Sequence, residues 1–538
     1  INEVSARTQD SLRNYTIAIA TTGEYSAKFG GSVSGTMAAI TTTLHRVNQV
    51  LEQDLGIHLN LVENNDLLIN TDAASDPFTE TKLFDLVFQN QEFIDAQIGN
   101  ANYDIGHLFT TKGGGLAAIA SICHNSNKAK GASGTTSPRG DSFDLDFVTH
   151  EIGHQLGATH TFNSSQGACS EETRTARSAF EPGSGSSIMS YAGYCGLDNI
   201  QSNTDAMFHI GSIKQITQFT SAGNGSYCGK VTATQNKPPK PNAGRDYIIP
   251  ARTPFELKGD ALDDDGDALL YAWEQLDAGD ISTESVDKGN NALFRVHKPN
   301  LSNKRSFPPL QNVLNHQPAK GETLPNYNRT LTMSFVAQDG FNAAQSDEMT
   351  IKVLRTGSRF ALHYPKAHYT RGNTYPVYWN VANTNKAPIN CSSVNISLSL
   401  DGGNSYKYEV ASNVPNNGEA FVTIPADSQT STQGRFKLKC SDNIFFALSQ
   451  RNFYITKYDD SVSISYNNED QPEANLDDIS LNATPAAISS SVSNTSNSNE
   501  GSGGGLFGLF NILFLIVLVK RLLRNKMIKN TKLSASIS

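Results

Sequence analysis

The sequence predicts a mixed α/β (α+β) N-terminal domain, two all-β sandwich domains and a hydrophobic helix near the C-terminus. Three observations lead to this prediction. The first 230 residues combine short apolar strands with long helical periodicities. The next two hundred or so residues consist of short alternating runs separated by turn residues, which is typical of β-sandwiches. An apolar run, Leu506–Val519, then follows polar sequence.

The elements of the first domain, residues 1–230, follow from its periodicity. Tyr15–Ala20 and Ile57–Val62 read as strands, and Tyr103–Thr110 is expected to be extended. Lys82–Ile98 and Asp144–Gly157 carry helical patterns. A long helix precedes them, since its apolar residues recur at three- and four-residue steps: Met37, Ile40, Leu44, Val47, Leu51 and Leu55.

A Pro/Lys-rich linker, residues 231–241, separates this domain from the all-β region. We expect one sandwich over residues 242–355, with Trp273 on a core strand. A second sandwich is expected over residues 358–456, with Trp379 on a core strand.

The C-terminal part changes character. Residues 457–502 are rich in Ser and Asn with few aromatic side chains, so we expect a disordered linker. Residues 503–526 begin with three glycines, which the apolar run and then basic residues follow, and this favours insertion into a membrane with the basic end on the cytoplasmic side. A buried helix is the alternative. Residues 527–538 form a polar tail.

The overall composition indicates which kinds of binding partner and which cellular compartment to expect. The net charge of −9, with no basic block before the C-terminal tail, argues against nucleic acid. Six cysteines without a C-x-x-C pair favour disulfide bonds in an exported protein over buried thiols in a cytosolic one. Position suggests, without fixing, the pairs Cys123 with Cys228, Cys169 with Cys195, and Cys391 with Cys440. Because the chain begins with Ile1, we expect that a precursor start was removed or that the sequence is a fragment.

The segment with the candidate metal-binding and catalytic residues is His150-Glu-Ile-Gly-His154-Gln-Leu-Gly157-Ala-Thr-His160. His150 and His154 lie one helical turn apart, so both imidazoles can reach one metal ion. Gly157 can end the helix in a left-handed conformation and return His160 as a third ligand. Three imidazoles on Zn²⁺ leave a fourth position for water, as in catalytic sites.

Glu151 neighbours the first ligand and can take a proton from the zinc-activated water as it attacks a peptide carbonyl. The alternative is three histidines that bind no metal. The other nine histidines lack a partner at ligand spacing. Among them, His107 and His124 are expected to be structural, and His209 is harder to place.

These residues resemble the metzincin zinc signature, and Ser187-Ile-Met189-Ser-Tyr191 resembles the Met-turn that follows it. Within metzincins, residues 1–230 are similar to bacterial reprolysin-like (M12B-like) peptidases, as in Ala18–Tyr25, Asn102–His107 and His160–Asn163. The resemblance implies one catalytic zinc and a zinc endopeptidase with an upper subdomain that bears the sheet.

Residue by residue, the resemblance makes His150, His154 and His160 ligands and Glu151 the base. It places Met189 beneath the metal, and Tyr191 where some metzincins hold a tyrosine that binds zinc or stabilises the oxyanion. Typical reprolysins have Asp after the third histidine, whereas this chain has Thr161.

The later regions also resemble known modules. Leu262–Asp267 followed by Tyr271–Trp273 looks like bacterial Ig-like or PKD-like domains. The acidic cluster could bind Ca²⁺, although an acidic hairpin turn is the commoner explanation. The tail resembles the GlyGly-CTERM sorting signal of Gram-negative bacteria, which implies export, trimming by a rhomboid-type protease, and release or surface attachment. A stable membrane anchor is the competing interpretation.

The sequence therefore predicts a secreted, monomeric zinc endopeptidase that acts on protein or peptide substrates. Its tail would lie in a membrane before processing, and the protein would be extracellular or on the cell surface. The alternative is a cell-surface adhesin that uses an inactive metzincin scaffold. A zinc hydrolase with another substrate is a third possibility.

Overall fold

The computed structural model describes residues 11–78, 82–341 and 343–457 of the chain. Apart from Lys457, the predicted disordered linker, the membrane-inserting tail and the polar end lie outside these described residues. Among the helices that are described, none is long and apolar enough to cross a membrane.

The N-terminal domain, residues 11–233, is built on one six-stranded sheet. Its strands are β1 (Ser11–Thr21), β2 (Ile57–Leu61), β3 (Ile105–Thr110), β4 (Gly114–Ala117), β5 (Gly131–Gly134) and β6 (Lys230–Ala233). The strand order is β2-β1-β3-β5-β4, and β6 pairs with the start of β1. Strands β1, β2, β3 and β5 are parallel, whereas β4 runs antiparallel to β5 at the edge of the sheet.

The described residues of this domain include six α-helices: α1 (Gly23–Ala27), α2 (Val33–Leu55), α3 (Leu83–Ile98), α4 (Asp141–Phe143), α5 (His150–Gln155) and α6 (Ile210–Ala222). Helix α2 begins after Ser32, whose hydroxyl accepts a hydrogen bond from the Gly35 amide. It ends at Gly56, which adopts the left-handed conformation at φ 60°. Its apolar stripe is buried in the core together with residues of the sheet. The predicted mixed α/β domain is confirmed.

The segment before α5 differs from the single helix predicted for Asp144–Gly157. Residues Asp144–Thr149 form a π-helical turn, and α5 follows it and ends at Gln155. The hydroxyl of Thr149 donates to the carbonyl of Asp144, five residues back, at 2.6 Å. This bond supports the wider turn, which periodicity alone does not reveal.

The part of the first β-module, residues 240–354, that the structure describes contains eight strands and one α-helix. They are β7 (Lys240–Asn242), β8 (Tyr247–Pro250), β9 (Phe255–Lys258), β10 (Asp260–Leu262), β11 (Leu270–Gln275), β12 (Lys304–Phe307), α7 (Leu310–Asn315), β13 (Arg329–Gln338) and β14 (Gln345–Leu354). The main sheet has the order β11-β13-β14-β8, and β12 pairs with β9 and β10 with β7. Trp273 lies in β11 and is buried, as predicted.

The second β-module, residues 361–456, contains nine strands. They are β15 (Ala361–Leu362), β16 (His368–Thr370), β17 (Thr374–Asn380), β18 (Ser393–Ser399), β19 (Tyr408–Pro415), β20 (Glu419–Thr423), β21 (Ser431–Cys440), β22 (Phe446–Leu448) and β23 (Phe453–Thr456). They form one sheet ordered β15-β17-β20 and another ordered β16-β23-β21-β18-β19, with β22 beside β21. Trp379 is buried in β17. The two modules share a hydrophobic cluster, in which Phe255 pairs with Phe445 across the junction.

The six cysteines form three disulfide bonds, so the prediction of disulfides is confirmed. The pairs are Cys123–Cys228, Cys169–Cys195 and Cys391–Cys440. Two of the bonds lie in the N-terminal domain, and the third ties the end of β21 to Cys391, two residues before β18, in the second β-module.

The first β-module packs directly on the N-terminal domain. Ala272 and Val336 belong to the same hydrophobic cluster as Leu51 of α2. The buried carboxyl of Glu274 in β11 accepts a hydrogen bond from the amide of Ile210, the first residue of α6, at 2.7 Å. The surface between the two parts is therefore both apolar and hydrogen-bonded.

Candidate metal centre and active site

Three histidines converge at the end of α5. His150 and His154 lie one turn apart, and their ring centroids are 4.8 Å from each other. Gly157, at φ 102°, turns the chain after the helix, and the ring of His160 returns to 4.6 Å from that of His154. One nitrogen from each ring lies within 4.8 Å of the other two. The structure thus brings together all three histidines of the predicted set.

The outward-facing nitrogens of these rings are fixed by backbone carbonyls. Nδ1 of His150 lies 2.7 Å from the carbonyl of Ile188, Nδ1 of His154 lies 2.9 Å from that of Ala158, and Nδ1 of His160 lies 2.6 Å from that of Thr173. A carbonyl only accepts, so each Nδ1 must carry the proton. The Nε2 atoms of the neutral rings are then left as acceptors, as metal-binding histidines require.

Burial keeps the rings neutral. It lowers the pKa of His150 to about 3 and that of His154 to about 4, and it lowers the pKa of His160 well below the usual value. The Nε2 atoms of His154 and His160 nevertheless lie 3.0 Å apart, two lone pairs facing each other. A cation between them removes that conflict, and three imidazoles suit Zn²⁺. The donor set therefore fits the metal that the motif predicts.

Glu151 points its carboxyl group at the edge strand of the sheet. A Cβ atom on Gly115 of β4 would lie 2.3 Å from Oε1 of Glu151, so a larger residue there requires the Glu151 carboxyl to shift. Oε2 is buried and has no hydrogen-bond partner among the described residues. Burial raises the pKa of Glu151 to about 8. This buried, unpartnered oxygen beside the histidines is available to a substrate or a water molecule.

Met189 lies beneath the helix that carries the histidines. Its Sδ atom would be 2.5 Å from a Cβ atom on Gly153, so the close approach depends on that glycine. The carbonyl of Met189 also accepts a hydrogen bond from the amide of Thr161 at 3.0 Å. The sequence motif had assigned no role to Gly153.

Tyr191 lies beside the same cluster. Its ring centroid is 4.6 Å from that of His160 and 5.7 Å from that of His150, and it stacks on Phe162 at 4.6 Å. Burial and the nearby Glu151 carboxylate raise the pKa of Tyr191. The phenol is thus protonated at neutral pH and can only be a donor or a neutral acceptor there.

The remaining histidines of the N-terminal domain include two with structural contacts. His107 is buried, with its two ring nitrogens 2.9 Å from Gln155 and 2.9 Å from Ser133. Nδ1 of His209 accepts from the amide of Gly211 at the start of α6. Gln155, which follows His154, also donates to the carbonyls of Gly106 in β3 and of Lys128, and so anchors α5 to the sheet.

The acidic cluster of the first β-module forms a turn. Asp263 Oδ1 accepts hydrogen bonds from the amides of Asp265, Gly266 and Asp267, at 2.9, 2.8 and 3.1 Å. Carboxylate oxygens of the three aspartates lie within 4.8 Å of one another. These backbone bonds form an acidic turn between β10 and β11, which belong to different sheets and are not a hairpin, and they give no separate support for Ca²⁺.

Comparison with known proteins shows a family to which the N-terminal domain is similar. Residues 11–219 match the family model described as metallo-peptidase family M12B, reprolysin-like. No curated protein sequence matches the chain.

Solved structures give only weak similarities. The Ig1-2 module of the Drosophila receptor protein tyrosine phosphatase DLAR is 11% identical, with a TM-score of 0.23 over 41% of this chain and 99% of that one. SGBP-B of Bacteroides ovatus is 13% identical, with a TM-score of 0.13 over 41% of this chain and 48% of that one. TM-scores this low carry no conclusion about the β-modules. The similarity to a known family therefore lies in residues 11–219, which resemble the reprolysin-like metallopeptidases of family M12B.

Proposed function

We propose that the chain is an exported zinc endopeptidase in which His150, His154 and His160 hold the metal and Glu151 is the general base. One observation carries this proposal. Three neutral imidazoles direct unprotonated Nε2 atoms at one point, beside a buried carboxylate oxygen that has no partner among the described residues.

Zinc, when bound, lowers the pKa of a coordinated water molecule and polarises the scissile carbonyl. A cation held by the three histidines would lower the raised pKa of Glu151 and keep its carboxyl ionised. Glu151 Oε2 can then accept the proton of the attacking water, because that oxygen is free and α5 holds it next to His150. The same carboxyl then gives the proton to the leaving amide nitrogen. One residue therefore acts first as base and then as acid.

Tyr191 has a supporting part in this proposal. Its ring packs against His160 and Phe162, which fixes its position, and its raised pKa keeps the phenol protonated. A protonated phenol can donate to the oxyanion that develops on the scissile carbonyl. Met189 supports the histidines from below through its contact with Gly153.

The sheet edge favours an extended peptide as the substrate. Strand β4 pairs with β5 on one side, and no described strand pairs with its other side. A peptide can add to such an edge through main-chain hydrogen bonds. Because Gly115 of β4 lies against the Glu151 carboxyl, a peptide on this edge has its backbone next to the base.

Export is proposed from the three disulfide bonds, which persist in oxidising compartments. The sorting tail that we predict for a Gram-negative cell lies outside the described residues. We propose a monomer that acts on proteins. The adhesin alternative is not favoured, because the chain keeps all three histidines and Glu151.

Casein hydrolysis by the purified chain tests the proposal, with Glu151→Ala as the diagnostic variant. The exposed Glu172→Ala is a matched control on the loop near His160. We expect the wild type and the control to cleave casein, chelator to abolish cleavage, and Glu151→Ala to lose it while keeping its metal. Cleavage that survives in Glu151→Ala would contradict the assignment of the base.

A further inference from the structure

Glu181 is a fully buried acid that the motif does not include. Its Oε1 accepts a hydrogen bond from the hydroxyl of Thr161 at 2.6 Å and another from the hydroxyl of Ser187. Its Oε2 accepts from the amides of Ser186 and Ser187, at 2.7 and 3.2 Å. Both carboxylate oxygens are thus occupied by donors, four in all.

These donors come from two segments, and each segment adjoins a histidine of the metal centre. Thr161 directly follows His160 in the chain. Ser187 directly precedes Ile188, whose carbonyl fixes Nδ1 of His150 at 2.7 Å. The buried Glu181 carboxylate therefore binds two segments. One contains Thr161, next to His160, and the other contains Ser187, next to the residue whose carbonyl binds His150.

The backbone around Glu181 is shaped to this arrangement. The Glu181 amide donates to the carbonyl of Thr161 at 2.9 Å, and Thr161 in turn donates to Met189. Gly185 adopts φ 67°, and a Cβ atom there would lie 2.9 Å from the Glu181 carboxyl carbon. The loop before Met189 therefore wraps closely around the carboxylate, so a shift of Glu181 must move the loop.

We propose that Glu181 is a positioning residue for the metal centre. By holding Thr161 and Ser186–Ser187 through hydrogen bonds, Glu181 sets the distance between His150 and His160. The proposal rests on the proposed function only in taking these histidines as ligands. Loss of an outer-shell hydrogen bond typically weakens metal binding 10–100-fold. Since Glu181 does not touch substrate, its loss should lower kcat more than it raises KM.

The test compares Glu181→Gln with the wild type by Zn²⁺ affinity against a competing chelator and by the visible spectrum of the Co²⁺-substituted protein. Glutamine has nearly the same shape as glutamate, but its NH₂ group would face the hydrogen-bond donors that Glu181 accepts from. Glu322→Gln is the control, since Glu322 is a buried acid of the first β-module that pairs with Arg305. We expect about 10–100-fold weaker Zn²⁺ binding and altered Co²⁺ bands for Glu181→Gln alone. A folded Glu181→Gln with wild-type affinity and spectrum would overturn the proposal.

A second pair of variants decides the matter if Glu181→Gln does not fold. Thr161→Val removes one hydrogen-bond donor to Glu181 at almost constant side-chain volume, whereas Thr161→Ser keeps that hydroxyl donor. We expect Thr161→Val to weaken Zn²⁺ binding and Thr161→Ser to bind like the wild type. Equal affinity in both would overturn the bracing role. A wild type that binds zinc but cleaves no protein would refute the proposed function alone, because these readouts need no substrate.

Discussion

Asp54 in α2 accepts a hydrogen bond from the side-chain amide of Gln338 in β13 at 2.8 Å, across the boundary between the N-terminal domain and the first β-module. The other oxygen of Asp54 accepts from the amide of Phe208 at 2.6 Å. The Phe208 ring lies against Gly153 of the metal-site helix. The first β-module is therefore linked, through one buried carboxyl, to the packing beneath the histidines.

The buried Asp54 predicts a pH dependence of stability. Burial raises its pKa from 3.8 to about 7 in the folded protein. Between about pH 4 and pH 7 the folded state then binds more protons than the unfolded state, so this group's contribution to the free energy of unfolding falls as pH rises. Urea unfolding from pH 4 to pH 8 should show the wild type losing stability relative to Asp54→Asn across that range. The exposed Asp66→Asn should show no such trend, and a constant difference for Asp54→Asn would contradict the prediction.

Gly153→Ala tests the packing of Met189. The new methyl group would lie 2.5 Å from Sδ of Met189, so the side chain or the helix must shift. We expect a loss of about 1–3 kcal/mol in the free energy of unfolding, the usual cost of overpacking, together with weaker zinc binding. Gly113→Ala, where a Cβ atom meets nothing within 4 Å, is the matched control. Unchanged stability and zinc affinity in Gly153→Ala would show that Met189 does not hold the helix.

Gly115→Ala tests the position of the base without changing a ligand. Its methyl group would overlap the Glu151 carboxyl at 2.3 Å and push it from its site. A displacement of this kind can cost about 100-fold in rate, so we expect kcat to fall by about that factor while zinc content stays at the wild-type level. Peptide hydrolysis and metal analysis on the same sample measure both. Loss of zinc in parallel with activity would instead place the damage at the ligands.

The Cys169–Cys195 bond is expected to support the third ligand. It closes a loop of sequence separation 26 that contains Thr173, whose carbonyl fixes His160. The Cys169→Ser/Cys195→Ser variant should lose about 3–4 kcal/mol of stability by the chain-entropy estimate and should also bind zinc more weakly.

Removal of the third disulfide is the control for that loop. The Cys391→Ser/Cys440→Ser variant lacks a bond of the second β-module, so it should lose stability but keep the wild-type zinc affinity. Chelator competition and thermal unfolding of both variants measure the two effects. Equal zinc affinity in the two variants would show that the loop does not depend on its disulfide.

The local parts of the fold could be predicted because they depend on local patterns. The apolar stripe of α2 and the strand at Tyr15–Ala20 follow from periodicity, and the spacing from His150 to His160 follows from helix geometry and one glycine. Their partners are near in sequence, so a pattern contains all the information needed.

The supporting contacts could not be predicted, because they join residues that no motif relates. Glu181 lies twenty residues beyond Thr161 in sequence, and Gln338 lies 284 residues from Asp54. Cysteine positions suggested pairs but left the connectivity open, since pairing depends on which loops meet. The π-helical turn at Asp144–Thr149 was also missed, because it depends on one side-chain bond to the backbone.

Metal analysis of the purified chain tests whether His150, His154 and His160 hold one zinc ion. We expect one zinc per wild-type chain, and loss of that zinc in His154→Ala, whose fold is checked by circular dichroism. His45→Gln, a change at an exposed histidine of α2 outside the site, should keep the metal. A folded wild type that takes up no zinc, or a His154→Ala variant that binds it as tightly as the wild type, would contradict the account.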